Sequence, residues 1–174
     1  RGERMRPAAL ALLAAQGMRR FRVGGEVRAA LISTGDELVA PGAELQAGQI
    51  YDSNSTLLRA LLETAGAQVG SVAHCADRAQ ETEEAVRAAS AFDVMIIAGG
   101  VSVGARDFVK GAITAAGGKL DLWRVSVKPG KPFLFGQAGR CAIFGLPGNP
   151  ASAFVTFLLF VRPALLQMMG AHAE

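Results

Sequence analysis

The sequence predicts a three-layer α/β/α domain in which helices cover both faces of a mostly parallel sheet. Two observations carry this prediction. Short apolar runs of strand length alternate with helix-like segments along the whole chain. The run Asp93–Ala98 is apolar almost throughout, which is typical of a parallel strand buried on both faces. The connections between parallel strands are expected to be right-handed, and any ligand is expected beyond the carboxyl ends of the strands.

The composition supports one compact, soluble domain. The chain has 174 residues, of which 51% are hydrophobic and 19% charged, enough to bury a substantial core. The net charge of +3 is spread along the chain and aromatics reach only 6%, so nothing indicates a nucleic-acid binder. The most apolar stretch, Ala151–Val161, is shorter than a bilayer span. No secretory signal is visible, and we expect a cytoplasmic protein without a membrane partner.

Few residues are available for disulfide or zinc chemistry. Cys75 and Cys141 both adjoin apolar segments, so they are predicted to be buried, reduced thiols. His74 and His172 have no neighbouring metal-ligand pattern, which argues against a zinc site.

The chain begins at Arg1 rather than at methionine, so we interpret it as a fragment of a longer multidomain protein. Residues 1–26 are expected to form a helical and linker segment that leads into the domain. Residues 27–170 are expected to form the α/β domain itself, and residues 171–174 a short tail.

The elements of the first half are defined by caps and glycines. The Ala- and Leu-rich stretch Pro7–Gln16 predicts a helix, and Val27–Ser33 predicts a strand. Between Thr34 and Gln49, Gly and Pro residues predict a long loop. Asp52 or Ser53 then caps a helix with leucines at helical spacing, which Gly66 ends.

The second half continues the alternation of strands and helices. Each element is delimited by a change of hydrophobic period or by a turn residue. The predicted elements are strand Gln68–His74, helix Thr82–Ser90, strand Asp93–Ala98, a helix from Asp107 to about Gly117, strands Leu120–Val127, Pro132–Gly136 and Cys141–Phe144, and a final helix from Pro150 to Met169.

Two acids follow the first strand in the segment Thr34-Gly35-Asp36-Glu37. Gly35 allows backbone to approach a ligand, and the adjacent carboxylates can hold a hard cation such as Mg²⁺ through oxygen. Alternatively, the two acids are solvated side chains in a polar loop that leaves the strand. The spacing alone favours this second explanation.

The loop from Gly99 to Asp107 follows the most apolar strand and precedes a helix. Its glycines expose backbone N–H groups beside a helix N-terminus, where a phosphate binds well. Asp107 serves either as the helix cap or as a functional acid. The segment also matches G-x-S-x-G, the signature of a hydrolase nucleophile elbow. A triad would then need a histidine after Ser102, and only His172 at the chain end remains, so we exclude the hydrolase.

Two further loops combine turn residues with polar groups. Lys128 and Lys131 flank a Pro-Gly pair, which suits a type II turn that holds both amines near one anion, or an ordinary surface turn. Asn149 with Pro150 suits a helix N-cap, and the segment before them forms either a stiff loop or a ligand wall. Together with the helix cap near Asp52, these loops predict an anionic, phosphate-bearing ligand that is handled with a divalent cation.

The order of these motifs resembles the molybdopterin molybdenumtransferase family, which includes the bacterial MoeA proteins and the E domain of gephyrin. The resemblance covers essentially the whole chain. Five motifs carry it, in this order: STGDEL (33–38), GQIYDSN (48–54), GGVSVG (99–104), KPGKPF (128–133) and GLPGNP (145–150).

The resemblance implies a molybdopterin-binding-like fold and a role in molybdenum cofactor biosynthesis. The family takes adenylylated molybdopterin and molybdate, inserts the metal at the dithiolene and releases AMP with the help of Mg²⁺. It usually works as a homodimer, in which additional domains complete the cleft. We therefore expect the present chain alone to fold, to bind ligand weakly and to turn over poorly. Other molybdenum cofactor biosynthesis proteins are expected partners.

The resemblance also assigns roles by position. Arg124 is a minor candidate where relatives often carry lysine, and the segment around Asp77 matches the family only loosely. The implied catalytic residues are Glu37, Asp77, Asp107, Lys128 and Lys131. The implied Mg²⁺ ligands are Asp36, Glu37 and Asp107. The implied ligand-binding residues are Thr34, Gly35, Asp52, Asn54, Gly99, Gly100, Ser102, Gly104, Pro147, Asn149 and Pro150.

Two alternatives stay open beside this reading. One is a related enzyme, either a molybdopterin adenylyltransferase or a competence-damage-type nucleotide hydrolase. The adenylyltransferase usually carries G-G-T-G where Val101 and Ser102 stand here, which argues against it. The other is a non-catalytic scaffold module, and no feature of the sequence marks a peptide groove.

Overall fold

A computed structural model describes residues 2–3, 5–101, 108–123 and 125–171. The chain alternates between strands and helices as expected. The helices are α1 Pro7–Ala15, α2 Ser53–Ala65, α3 Ala79–Ala89, α4 Phe108–Ala115, α5 Pro150–Thr156 and α6 Arg162–Met168. The strands are β1 Arg28–Thr34, β2 Leu38–Val39, β3 Ile50–Tyr51, β4 Gln68–Cys75, β5 Val94–Ala98, β6 Lys119–Trp123, β7 Leu134–Ala138 and β8 Cys141–Leu146.

Six strands form one mostly parallel sheet, which confirms the predicted fold class. Their order is β4-β1-β5-β8-β7-β6. The first four run parallel, while β7 and β6 pair antiparallel at one side. The register pairs Ser33 of β1 with Ala98 of β5, and Ala98 with Leu146 of β8. The loops that begin at Thr34, Gly99 and Pro147 therefore leave the sheet side by side.

The sheet is covered on both faces by helices. Every residue of β5 is buried, as its unbroken apolar run predicts. Val94 and Ile96 belong to the core cluster that also contains α2 and the C-terminal helix. Met95 and Ile97 belong to the cluster under α3 and α4. Because successive side chains of a strand point to opposite faces, this division follows directly from strand geometry.

Some boundaries differ from the predictions. The region from Thr34 to Gln49 is not wholly a loop, because β2 within it pairs in parallel with the equally short β3. Helix α3 begins at Ala79 rather than at Thr82. The carboxylate of Glu81 in its first turn accepts hydrogen bonds from the Ala76 N–H and the Arg78 guanidinium, which holds this turn together. Strand β6 ends at Trp123, short of the predicted Val127.

The C-terminal helix contains one wide turn. A π-helical segment, Phe157–Val161, joins α5 to α6, and the Arg162 N–H donates to the Phe157 carbonyl. Pro163 follows at once; its ring collides with the carbonyl four residues earlier in a regular α-helix, and a wider turn relieves such a collision. From Pro150 to Met168 the helix is long and apolar enough to cross a membrane by length and composition alone. One of its faces packs into the core of the domain, as in other α/β domains.

Both cysteines are buried free thiols, as predicted. Burial, with the carboxylate of Glu81 as a smaller influence, raises the pKa of Cys75. Burial and the charge of Asp93 raise the pKa of Cys141 to about 11. Because the thiolate is the reactive form, both side chains are inert packing groups at neutral pH.

Candidate functional site

A pocket of about 300 Å³ lies where β1, β5 and β8 end. Its position agrees with the rule that parallel sheets bind ligands beyond the carboxyl ends of their strands. Segments that are far apart in the sequence supply its walls. The lining residues are Thr34, Gly35, Glu37, Leu38, Ile50, Asn54, Asp77, Ala98, Gly99, Gly100, Val101, Pro132, Pro147 and Gly148.

The floor of the pocket depends on two glycines that lie against Thr34. Gly99 and Gly100 have φ values of +89° and +63°. A Cβ on Gly99 would lie 2.8 Å from the Thr34 carbonyl oxygen, and one on Gly100 would lie 2.8 Å from Thr34 Oγ1. Residues with a Cβ disfavour this backbone and have no room here. The glycines therefore bring the end of β5 into direct contact with the end of β1.

Glu37 folds back over the strand end that precedes it. Gly35 has a φ of +145°, which favours glycine, and a Cβ on it would lie 2.7 Å from Glu37 Oε2 at the end of an exposed side chain. The Ile50 N–H donates to the Glu37 carbonyl at 2.8 Å, which fixes the backbone of Glu37 through the start of β3. Glu37 and Ile50 both line the pocket.

Asp36 and Asp77 meet at the same edge of the sheet. The Asp77 N–H donates to Asp36 Oδ1 at 3.0 Å. Asp77 lines the pocket whereas Asp36 does not, so Asp36 orders the loop that presents Asp77. In the described ranges no three Asp, Glu, His or Cys side chains are close enough to bind a metal by themselves.

Asp52 is the N-cap of α2. Its Oδ1 accepts from the Ser55 N–H at 2.9 Å and its Oδ2 from the Ser55 hydroxyl at 2.5 Å. Burial disfavours the charged form, but hydrogen bonds from Ser55 and Ser33, with the nearby His74, outweigh it and lower the pKa of Asp52. Asp52 is not among the residues that line the pocket. Its predicted ligand role stays a prediction.

Replacing Asp52 with alanine should lower the free energy of unfolding by about 1 kcal/mol at pH 7. The folded-state pKa of Asp52 lies below its ordinary value, so its contribution is present at neutral pH. That contribution is lost as the pH falls through the folded-state pKa, below about pH 4. Urea unfolding followed by circular dichroism at pH 7 and pH 3 measures this, with the exposed Asp121→Ala as the control. A wild-type-to-variant difference that is independent of pH would contradict the assignment.

Asn54 connects α2 to the loop after β8. Its Nδ2 donates to the Gly148 carbonyl at 2.7 Å. Its Oδ1 is buried without a hydrogen-bond partner, and the same is true of Thr34 Oγ1. Both residues line the pocket.

The two lysines lie on an exposed segment at the side of the pocket. Lys128 and Lys131 are both exposed. The segment is a bend in which the Lys128–Pro129 peptide is cis, and the Lys131 carbonyl accepts a hydrogen bond from the Val125 N–H. Of the two turns that the sequence allowed, it is therefore not the type II turn. Neither lysine lines the pocket, but the adjoining Pro132 does.

The loop after β8 is stiffened in the predicted way. Asn149 caps α5, and its Oδ1 accepts from the Ser152 N–H at 3.2 Å. Pro147 and Gly148 line the pocket, while Asn149 and Pro150 are exposed and do not. The helix cap therefore supports the wall rather than forming it.

The pocket collects eight of the predicted site residues: Thr34, Gly35, Glu37, Asn54, Asp77, Gly99, Gly100 and Pro147. Predictions for Ser102, Gly104, Asp107, Arg124 and His172 lie outside the described residues. Sequence reasoning did not single out six of the lining residues. All of them adjoin or lie inside the motifs that it quoted: Leu38, Ile50, Ala98, Val101, Pro132 and Gly148.

Comparison with known proteins gives consistent results. Residues 30–167 match a family model described as "Probable molybdopterin binding domain". A molybdopterin molybdenumtransferase of Haemophilus influenzae is 41% identical over 97% of the chain. A molybdopterin biosynthesis MoeA protein from Pyrococcus horikoshii has a structure that superposes with a TM-score of 0.84 over 99% of the chain, at 32% identity.

A more distant neighbour shares only the fold. The molybdopterin biosynthesis enzyme MoaB of Thermus thermophilus gives a TM-score of 0.62 over 85% of the chain, at 19% identity. The chain spans 42% of the Haemophilus protein and 43% of the Pyrococcus chain, which is less than half of each.

Proposed function

The chain belongs to the family of molybdopterin-binding domains, and from this premise we propose that it is the ligand-binding part of a molybdopterin molybdenumtransferase. In the complete protein it would bind adenylylated molybdopterin and take part in molybdate insertion with release of AMP. The observation that supports this most directly is the pocket at the ends of β1, β5 and β8, where glycine backbone, Glu37 and Asp77 lie together. Two relatives that are each 41% identical over 97% of the chain carry the transferase name, which favours this function over the adenylyltransferase, hydrolase and scaffold alternatives.

The donor set of the pocket fits Mg²⁺. Glu37 and Asp77 offer carboxylate oxygens at one wall. Mg²⁺ in phosphate-handling sites is usually held by one or two carboxylates, the substrate phosphates and water, so a complete protein cage is not required. When bound, Mg²⁺ polarises phosphate oxygens. Asp36 would act indirectly, by holding the backbone of Asp77 in place.

Lys128 and Lys131 would attract the anionic groups of the substrates. Each is a cation on an exposed bend next to the pocket-lining Pro132. A Lys ammonium acts as a compact point charge toward phosphate or molybdate oxygens. Negative charge that develops as the phosphoanhydride breaks would be offset by these ammonium groups, without a covalent protein intermediate.

The remaining parts of the proposal concern the whole protein. We infer that it forms a homodimer in the cytoplasm, with other molybdenum cofactor biosynthesis proteins as partners. Because the chain spans less than half of its relatives, we expect it to bind the substrate weakly and to turn over poorly by itself. Robust metal insertion by this chain alone would contradict this expectation.

Calorimetric titration with adenylylated molybdopterin, with and without Mg²⁺, tests the proposal. Lys128→Ala should weaken binding roughly tenfold, because a charge-assisted contact to an anionic group is lost. Lys119→Ala is the matched control, since it removes the same charge from an exposed side chain that pairs with Asp121 at the start of β6. Equal affinities for both variants would contradict the role of Lys128. Absence of binding by both this chain and the full-length protein would contradict the proposed function itself.

A further inference from the structure

Two buried polar atoms in the pocket have no hydrogen-bond partner in the part of the chain that the structure describes. They are Thr34 Oγ1 and Asn54 Oδ1, and both residues are 7% exposed. An unsatisfied buried polar atom is rare in native proteins, because it has lost its bonds to water without replacement. Both residues line the same pocket, so a ligand can satisfy these atoms.

The two atoms belong to one continuous wall. Asn54 Nδ2 bonds the Gly148 carbonyl. A Cβ on Gly148 would lie 3.8 Å from Gly99 Cα, so these two backbones are neighbours. Gly99 in turn lies against the carbonyl and hydroxyl of Thr34. Direct contacts through Gly148 and Gly99 therefore link Asn54 to Thr34.

The chemistry of Asn54 is fixed by its contact with Gly148. A carbonyl oxygen accepts hydrogen bonds only, so the atom of the amide that faces it must be the nitrogen. The other atom, Oδ1, is then the one left without a partner, and it too can only accept. Its ligand counterpart must be an N–H or O–H donor, not a phosphate or molybdate oxygen. The Thr34 hydroxyl can accept as well, and no cationic side chain lines this pocket among the described residues.

We propose that Thr34 and Asn54 form a hydrogen-bond-accepting subsite that recognises the amino group of the ligand's heterocycle, separate from the groups that handle its anions. The inference rests on the proposed function, which supplies a ligand with two such groups. One is the exocyclic amine of the pterin and the other is that of the adenine. The subsite selects ligands by polarity at Asn54: a ring that carries an oxo group in place of the amine would set its oxygen against Oδ1, whereas the Thr34 hydroxyl can rotate to donate.

Two pairs of probes distinguish the sources of the amine. AMP and IMP differ by an amino-to-oxo exchange on the purine, and 6-carboxypterin and 6-carboxylumazine differ by the same exchange on the pteridine. Calorimetry on the wild-type chain should show that the amino member of one pair binds at least about tenfold more tightly. The pair that discriminates identifies the ring that contacts the subsite.

Variants then connect the preference to these residues. Thr34→Val removes the hydroxyl without changing the shape of the side chain, and Asn54→Ala removes the acceptor together with the contact to Gly148. Asn54→Ala should reduce the preference for the amine to within roughly threefold, and Thr34→Val should weaken binding of the amino probe about fivefold. Thr82→Val is the matched control: Thr82 is also buried, but its hydroxyl donates to the Arg78 carbonyl at 2.8 Å on α3.

Stability separates a binding role from a structural one. Thr34→Val removes an unsatisfied atom and should leave the melting temperature unchanged or raise it, while the affinity for the amino probe falls. Thr82→Val should do the reverse, lowering the melting temperature by a few degrees and preserving affinity.

Three results would overturn the inference. In the first, neither pair of probes discriminates although the wild type binds adenylylated molybdopterin. The proposed function then stands, and water rather than a ligand amine satisfies the two atoms. In the second, the preference for the amine survives in Asn54→Ala. In the third, neither this chain nor the full-length protein binds the probes or adenylylated molybdopterin, in which case the proposed function fails as well.

Discussion

Gly99→Ala should abolish measurable binding of adenylylated molybdopterin, with affinity reduced by at least about a hundredfold, and should destabilise the domain by roughly 1–3 kcal/mol. A methyl group at this position would lie 2.8 Å from the Thr34 carbonyl oxygen and 2.9 Å from its hydroxyl. The strand ends must separate to admit it, and they form the floor of the pocket. Calorimetry measures the affinity, and urea unfolding measures the stability.

Gly42→Ala is a closely matched control for this effect. Gly42 has φ +92°, almost the value at Gly99, but a Cβ there meets nothing within 4 Å. Its loss of stability should reflect the left-handed backbone alone, roughly 1 kcal/mol, and its affinity for the ligand should be that of the wild type. If the Gly99 variant bound as well as the Gly42 variant, the contact between Gly99 and Thr34 would have no role in shaping the pocket.

Phe133→Ala should cost about 3–5 kcal/mol of unfolding free energy. Phe133 is 2% exposed, and its ring centroid lies 4.5 Å from that of Phe160 and 6.4 Å from that of Phe144. Removing the ring leaves a cavity that neighbouring side chains fill only in part. Because Phe133 directly follows Pro132, the variant should also loosen the bend that carries Lys128, and the affinity for the anionic ligand should fall.

Phe135→Ala provides the comparison. Phe135 also stacks on Phe144, at 5.1 Å between centroids, but its side chain is only partly buried. We expect about half the loss of stability and no change in affinity. Equal losses in urea unfolding would contradict the difference in stability, and equal affinities in calorimetric titration would show that Phe133 does not anchor the bend.

The fold class was predictable because the strongest signals in the sequence are those of buried strands and capped helices. The run Asp93–Ala98 is the central strand β5, and its burial follows from composition alone. Asp52 and Asn149 cap helices because their side chains accept hydrogen bonds from the backbone locally, which a sequence motif can encode. Strands β2 and β3 escaped prediction because two residues are too few to have a hydrophobic period.

The location of the pocket was predictable from the sequence, but its contacts were not. Rules for strand ends select Thr34, Gly99 and Pro147, and all three line the pocket. No local pattern indicates that Gly99 lies against Thr34, or that Asn54 bonds Gly148, because these contacts join segments far apart in the chain. For the same reason the sequence cannot distinguish Asp77, which lines the pocket, from Asp36, which supports it.

The distribution of the pocket walls along the chain has a consequence for folding. Thr34 belongs to β1 and Gly148 to the loop after β8, so the complete pocket exists only when β1, β5 and β8 are assembled. A ligand of this pocket then stabilises the assembled sheet by mass action rather than a single loop. At a free ligand concentration a hundredfold above Kd, this linkage adds about 2.7 kcal/mol. A cell that holds a ligand of this pocket would therefore lose less of this chain to proteolysis than a cell that lacks it.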